Sequence, residues 1–119
     1  MLTTKKLGLV LAAALLAAPF AASAQEAAPA AFNQCKACHV IGKNGVGPNL
    51  AGVFGRKAGS FDGFKYSDAM KAAPAWDEAT LTKYLTDPKG TIPGNKMVFA
   101  GIKKPEDLAA VIAYLKVVK

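Results

Sequence analysis

Cys35-Lys36-Ala37-Cys38-His39 places two thiols and an imidazole at C-x-x-C-H spacing, the arrangement that covalent haem attachment requires. Each thiol can add across one vinyl group of a porphyrin, and the two intervening residues match the separation of the vinyls on one haem edge. The histidine directly after Cys38 is carried under the ring, where an imidazole nitrogen reaches iron. Other chemistries use the same residue types. A tetrahedral zinc site wants about four Cys, His or carboxylate ligands, whereas the whole chain holds two cysteines and one histidine. A thioredoxin-like redox pair sits among alternating strands and helices, yet no β-branched, period-two run precedes Cys35. A structural disulfide beside a lone surface histidine stays open on these five residues.

Upstream of the motif the chain reads as an address. Lys5 and Lys6 are basic, Leu7 to Ala22 is apolar and rich in Leu and Ala, and Ala22-Ser23-Ala24 has the small-x-small form of a signal peptidase site. These features predict a signal peptide over residues 1–24, cleaved between Ala24 and Gln25, and a mature chain 25–119 in the periplasm. The apolar run is shorter than the roughly 20 residues of a comfortable membrane span, and no charged stop-transfer segment follows it. In an oxidising compartment two cysteines ordinarily pair. Haem attachment would consume both thiols instead.

A mature chain of this length makes one small domain with one core. Such a domain is marginal by burial alone and is often completed by a disulfide, a metal or a cofactor; a flat porphyrin would supply apolar surface of that kind. Lys and Arg number 15 against 8 Asp and Glu, for a formal charge of +7, and loss of Lys5 and Lys6 lowers it to +5. The balance points to an acidic partner. Nucleic acid is disfavoured, because the lysines are scattered, Arg56 is the single arginine, and export separates the chain from it.

The pattern of apolar residues predicts an all-α fold of three main helices plus long loops. Ala28, Ala31, Phe32 and Cys35 fall at i, i+3, i+4 and i+7, so a first helix starting near Ala27 would lead directly into the motif. From Ile41 to Phe64 the chain carries Gly42, Gly45, Gly47, Pro48, Gly52, Gly55, Gly59 and Gly63, which reads as irregular chain with several tight turns. A loop so long is ordered most readily when it wraps something, such as a cofactor edge. Ser67 to Ala72 suits a short helix with Ser67 as N-cap. Asp77 would cap a second main helix carrying Leu81, Tyr84 and Leu85 and ending near Pro88. Pro105, Glu106 and Asp107 start the third, in which Leu108, Val111, Ile112 and Leu115 share one face.

Iron held by His39 would keep a sixth position, and its occupant separates electron transfer from small-molecule chemistry. Of the three methionines, Met1 leaves with the signal peptide, Met70 lies in the short helix beside Tyr66, and Met97 ends the turn-rich stretch Ile92-Pro93-Gly94-Asn95-Lys96-Met97. A constrained loop can present a thioether to one point, but methionine is also a common core filler, so the loop alone leaves both roles open for Met97. For Met70 a core role is the simpler one. An enzyme or gas-binding haem protein would need an open site with a distal acid or base, and no second histidine exists to serve there.

Several further segments carry a family resemblance. Phe-Asn-Gln-Cys-Lys-Ala-Cys-His at 32–39, Gly-Pro-Asn-Leu-Ala-Gly-Val-Phe-Gly-Arg-Lys-Ala-Gly at 47–59 and Tyr-Ser-Asp-Ala at 66–69 are followed by Trp76 and Tyr84. The run Ile-Pro-Gly-Asn-Lys-Met-Val-Phe-Ala-Gly-Ile-Lys-Lys at 92–104 and Ile-Ala-Tyr-Leu-Lys at 112–116 complete the set. In order and spacing, nearly all of Gln25 to Lys119 resembles a class I cytochrome c of the mitochondrial-like kind, in its short bacterial form. The resemblance implies one covalently attached haem c on Cys35 and Cys38, with His39 and Met97 as iron ligands. It further implies that the Pro48 carbonyl accepts a hydrogen bond from the second His39 nitrogen, that Arg56, Tyr66 and Trp76 surround a buried haem propionate, and that the Tyr84 hydroxyl lies near the methionine sulfur.

The chain also departs from that pattern. Asn95 stands where many mitochondrial members have threonine, and its amide is expected to donate to a propionate in the same way. Met70 occupies a position often filled by asparagine, and the connection from Tyr66 to Trp76 is one residue shorter. Lys36, Lys43, Lys57, Lys96, Lys103 and Lys104 would ring the exposed haem edge in the family fold, as a docking face for acidic membrane redox complexes; singly, each is equally a solvated surface lysine. The function implied is that of a soluble, monomeric, periplasmic electron carrier. It would take single electrons from a quinol-oxidising membrane complex to an oxidase, peroxidase or reaction centre, and transform no substrate.

Overall fold

Proline lacks a backbone N–H and its fixed φ suits the first turn of a helix. Pro105 accordingly opens the longest helix, and Glu106 and Asp107 sit at the positive end of its dipole. The computed structural model describes residues 27–119 together with Gly8. The expected signal peptide 1–24, Gly8 apart, and its cleavage site lie outside the described residues. The α-helices among these are α1 Asp68–Lys71, α2 Glu78–Thr86, α3 Pro88–Thr91 and α4 Pro105–Val117. The only β-pairing in the described residues is two isolated antiparallel bridges, Val40 with Lys43 and Lys57 with Ala75. None of these helices is long and apolar enough to cross a membrane.

The expected first helix is instead a 3₁₀ turn, Ala30–Gln34. Its bonds are of the i−3 kind, Phe32 N–H to the Pro29 carbonyl at 2.9 Å and Cys35 N–H to that of Phe32 at 2.8 Å. A segment this short cannot repay α-helix nucleation by propagation, so tertiary contacts choose the tighter winding. The deciding contact is Phe32, which is 2 % exposed and meets the Tyr114 ring of α4 edge-on at a centroid distance of 4.8 Å. Burying a phenylalanine this fully stabilises by about 1.5–3 kcal/mol.

Side-chain caps account for where the other helices begin. Ser67 Oγ accepts from Met70 N–H at 3.1 Å to start α1, and Asp77 Oδ1 accepts from Thr80 N–H at 2.7 Å to start α2. Pro88 ends α2 and opens α3, a turn that the periodic pattern did not indicate, with Asp87 Oδ1 accepting from Gly90 N–H at 3.1 Å. The chain from 41 to 64 contains no helix and is irregular, with turns, bends and the bridge residues Lys43 and Lys57. Leu81, Tyr84 and Leu85 of α2, Val111, Ile112 and Leu115 of α4, and Phe32, Trp76 and Ile102 form one core.

Candidate haem site

One face of that core opens into an apolar cavity of about 220 Å³. The motif residues Cys35, Cys38 and His39, the loop residues Pro48, Arg56, Tyr66 and Met97, and the core residues Trp76 and Tyr84 all line it. Residues more than sixty positions apart in the chain thus meet at a single cleft. Met70 lines it as well, while packing against the core.

The motif is held by its own backbone: His39 N–H donates to the Cys35 carbonyl at 2.9 Å. His39 Nδ1 lies 2.9 Å from the Pro48 carbonyl oxygen. A carbonyl only accepts, so Nδ1 carries the proton and Nε2 keeps its lone pair for a metal. Burial lowers the His39 pKa, against the opposing effect of the Pro48 bond, and favours the neutral ring that a ligand must be. Cys35 and Cys38 are free thiols, Cys38 exposed and Cys35 half-buried. Burial, and then neighbouring Cys38, push the Cys35 thiol up. No group of three or more His, Cys, Asp or Glu close enough to hold a metal ion occurs among the described residues.

Across the chain, Met97 follows a turn at Gly94, whose φ of +88° favours glycine. Its sulfur is 3.8 Å from the Tyr84 hydroxyl. Tyr84 is buried, which pushes its pKa up to about 12, and its ring packs against Trp76 at 4.9 Å. Arg56 donates through its terminal nitrogens to the carbonyls of Ala51 at 3.2 Å and Asn49 at 3.1 Å. Its Nε is buried with no partner. A guanidinium N–H held at a cavity wall in that way is a site for an anion, so the donor set fits a porphyrin carboxylate. Burial also lowers the Arg56 pKa, and nearby Tyr66 opposes the shift.

Asn95 departs from its expected role. Its Nδ2 donates to the carbonyls of Pro88 at 2.9 Å and Ile92 at 2.8 Å, and its Oδ1 accepts from Met97 N–H at 2.9 Å. Both amide hydrogens are committed inside the loop, and Asn95 is absent from the cavity wall, so it has none left for a propionate. The lysines divide as well. Lys57 Nζ donates to the carbonyls of Lys71, at 2.8 Å, and Ala73; Lys103 Nζ donates to those of Ala100 at 3.0 Å and Thr86 at 3.2 Å. Lys96 lines the cleft and reaches the Lys65 carbonyl at 3.4 Å. Lys36, Lys43 and Lys104 are exposed.

Sequence reasoning missed a second layer behind the proximal loop. Asn49 is buried, with Oδ1 accepting from the N–H groups of Gly42 at 2.8 Å and Ala51 at 2.9 Å. Asn44 Oδ1 accepts from Asn49 N–H at 2.9 Å, while its Nδ2 donates to the Asp62 carbonyl at 3.0 Å. The two asparagines therefore pin the residues on either side of Pro48. Asparagine beside glycine and proline reads as a turn signal, and that local reading conceals a buried hub.

Paired thiols, a neutral imidazole with a free nitrogen, a thioether and an unpartnered guanidinium N–H around one apolar cleft in a small helical fold define a protein that carries covalently bound haem. Comparison with known proteins agrees. The family model for cytochrome c matches residues 24–119. Cytochrome c2 iso-2 of Magnetospirillum fulvum is 71 % identical over 92 residues, which cover 75 % of this chain and 96 % of the relative. Cytochrome c2 of Rhodoplanes tepidamans is 60 % identical over 96 residues, covering 77 % of this chain and 98 % of the relative. The solved structure of cytochrome cH from Methylobacterium extorquens superposes with a TM-score of 0.70 at 55 % identity, covering 72 % of this chain and 90 % of that one. The chain belongs to the cytochrome c family, with the class I fold. It binds haem c covalently through cysteine, and acts as a single-haem electron carrier and not as an enzyme.

Proposed function

We propose that the protein is a periplasmic shuttle, exported by residues 1–24, that closes both axial positions of its iron with His39 and Met97. Bound haem supplies a one-electron ferric–ferrous couple, and the chain's part is to hold that couple while changing little as the electron arrives and leaves. The observation that carries this reading is the convergence of two ligand atoms on one cleft: an Nε2 whose lone pair is left free by the Nδ1 bond to Pro48, and a Met97 sulfur beside the Tyr84 hydroxyl. In this reading Cys35 and Cys38 form the thioethers. Arg56 offers its Nε to a propionate, with Tyr66 and Trp76 at the same wall.

The donor is a quinol-oxidising membrane complex, and the acceptor an oxidase, peroxidase or reaction centre. Two apolar residues at the cleft, Val46 and Val98, are 79 % and 95 % exposed. An exposed apolar centre beside Lys96, which lines the same cleft, has the anatomy of a docking interface, and the formal charge of +5 left after loss of Lys5 and Lys6 favours acidic partners. Monomeric protein suits a partner that must be met and released quickly.

Spectroscopy of the haem-loaded protein tests the ligation. The oxidised form should be low-spin with a weak sulfur-to-iron band in the near infrared. Met97→Ala should remove the band and lower the potential, because a thioether favours reduced iron, while Met70→Leu should leave the band in place. A high-spin wild-type spectrum at neutral pH would overturn the closed site, and loss of the band in Met70→Leu would move the ligand to Met70.

A further inference from the structure

Asn95 makes three side-chain hydrogen bonds, and their chemistry leaves no freedom in how the amide is turned. Pro88 and Ile92 present carbonyl oxygens, which accept, so the Nδ2 side must face them; Met97 presents an N–H, which donates, so Oδ1 must face it. The first two partners belong to the buried part of the molecule. Pro88 opens α3 and is fully buried, and Ile92 lies in the core. The third is the backbone of Met97 itself. One side chain therefore ties the Met97 main chain to the core at the junction of α2 and α3, and α2 carries the Tyr84 whose hydroxyl meets the Met97 sulfur.

The other restraints on this loop are a backbone bond from the Asn95 N–H to the Ile92 carbonyl at 3.1 Å and the packing of Met97 and Phe99 against the core, neither of which holds the Met97 N–H. Val98, the next residue, is 95 % exposed and anchors nothing. Lys96 reaches only an exposed carbonyl, at 3.4 Å, and the contact of the sulfur with Tyr84 is a long 3.8 Å.

We propose that Asn95 is a positioning residue that sets how firmly Met97 is held on iron. The proposal rests on the reading of Met97 as the axial ligand. An external ligand can replace the thioether only when the loop swings away, and that opening must break the bonds of Asn95 to Pro88 and Ile92 or its bond to Met97. The apparent affinity of the competitor is its intrinsic affinity multiplied by the population of the open loop. Asn95 acts on that population from outside the cleft wall.

The test is an imidazole titration of the oxidised, haem-loaded protein, followed by loss of the near-infrared sulfur-to-iron band. Asn95→Ala should bind imidazole about tenfold more tightly than wild type, as expected for the loss of one or two net hydrogen bonds from the closed loop. Val118→Ala, a cut in the core away from the cleft wall, should lower the unfolding temperature yet keep the wild-type imidazole affinity. Equal affinities for Asn95→Ala and wild type would overturn the proposal, and so would an equal rise in Val118→Ala, which would make the effect one of general loosening. If Asn95→Ala fails to retain haem, Asn95→Thr carries the same test, because one hydroxyl cannot donate to two carbonyls; it should also bind imidazole more tightly, and equality with wild type would overturn the proposal. A wild-type protein lacking the band would instead show that Met97 is not the ligand, and both readings would fall together.

Discussion

The backbone of Gly47 lies against the face of His39 so closely that a Cβ placed on it would come within 2.5 Å of the ring carbon Cε1 and 2.8 Å of Nδ1. Gly47 is also held by its N–H, which donates to the Cys38 carbonyl at 2.8 Å. The absence of a side chain at position 47 therefore lets the loop approach the imidazole and brings the neighbouring Pro48 carbonyl to Nδ1.

Gly47→Ala should force the ring or the loop to move, at a cost of about 1–3 kcal/mol for an overpacked contact. The expected outcome is less haem-loaded protein from a haem-maturing host and a lower denaturant midpoint. Yield and midpoint equal to wild type would mean that the loop relaxes freely around the added methyl group.

Arg56 offers two separable effects. Arg56→Leu removes a cation from beside the cleft, leaving a propionate uncompensated and the ferric state better stabilised, so the reduction potential should fall. Arg56→Lys keeps the charge but loses the fork that braces Ala51 and Asn49; it should hold a potential near wild type with a lower unfolding temperature. Potentiometric titration of both variants decides the matter, and an unchanged potential in Arg56→Leu would reduce the arginine to a loop brace.

Asp77 links the fold to acid. The Thr80 backbone N–H, and then its hydroxyl, hold the Asp77 carboxyl below its ordinary value of 3.8. A depressed folded-state pKa means that its contribution to stability is present above the unfolded value and is lost as pH falls through the folded one. Asp77→Asn keeps a cap for Thr80 N–H but cannot titrate. Its stability should therefore depend less on pH below about 4 than that of wild type, as read from chemical denaturation at a series of acidic pH values. Parallel curves would show that the cap does not distinguish carboxylate from amide.

The lysines should separate by what their ammonium groups touch. Replacing Lys36, Lys43 and Lys104 together by Glu should slow electron transfer to an acidic membrane partner at low ionic strength. The gap from wild type should close as salt shortens the Debye length to ~10 Å at 0.1 M. Lys57→Met should do the reverse, lowering the unfolding temperature through lost contacts with the Lys71 and Ala73 carbonyls while changing the rate little. Stopped-flow rates across a salt series test both variants, and equal rates for the triple variant and wild type at low salt would leave these lysines without a docking role.

Much of the architecture was legible because it is local. Proline and the acids at 105–107, the Asp77 and Ser67 caps and the apolar spacing of Leu108, Val111, Ile112 and Leu115 act within a few residues of themselves, and helices begin where they indicate. The 3₁₀ winding of Ala30–Gln34 was not legible. Its apolar spacing suits an α-helix equally well, and the choice is made by Phe32 seating against Tyr114, eighty-two positions away.

At the cleft the division follows the range of the forces. The C-x-x-C-H string by itself pointed to the attachment chemistry, since covalent spacing is a property of neighbouring residues, while leaving a structural disulfide open. The family resemblance added the candidate roles of Met97 and Arg56. Only the tertiary structure decided that Asn95 turns its amide toward Pro88, Ile92 and Met97, that Gly47 must be bare for His39 to fit, and that Lys57 and Lys103 brace carbonyls. An amide, a glycine or an ammonium is satisfied by whatever group the fold brings within about 3 Å, and that partner is set by the packing of the whole chain.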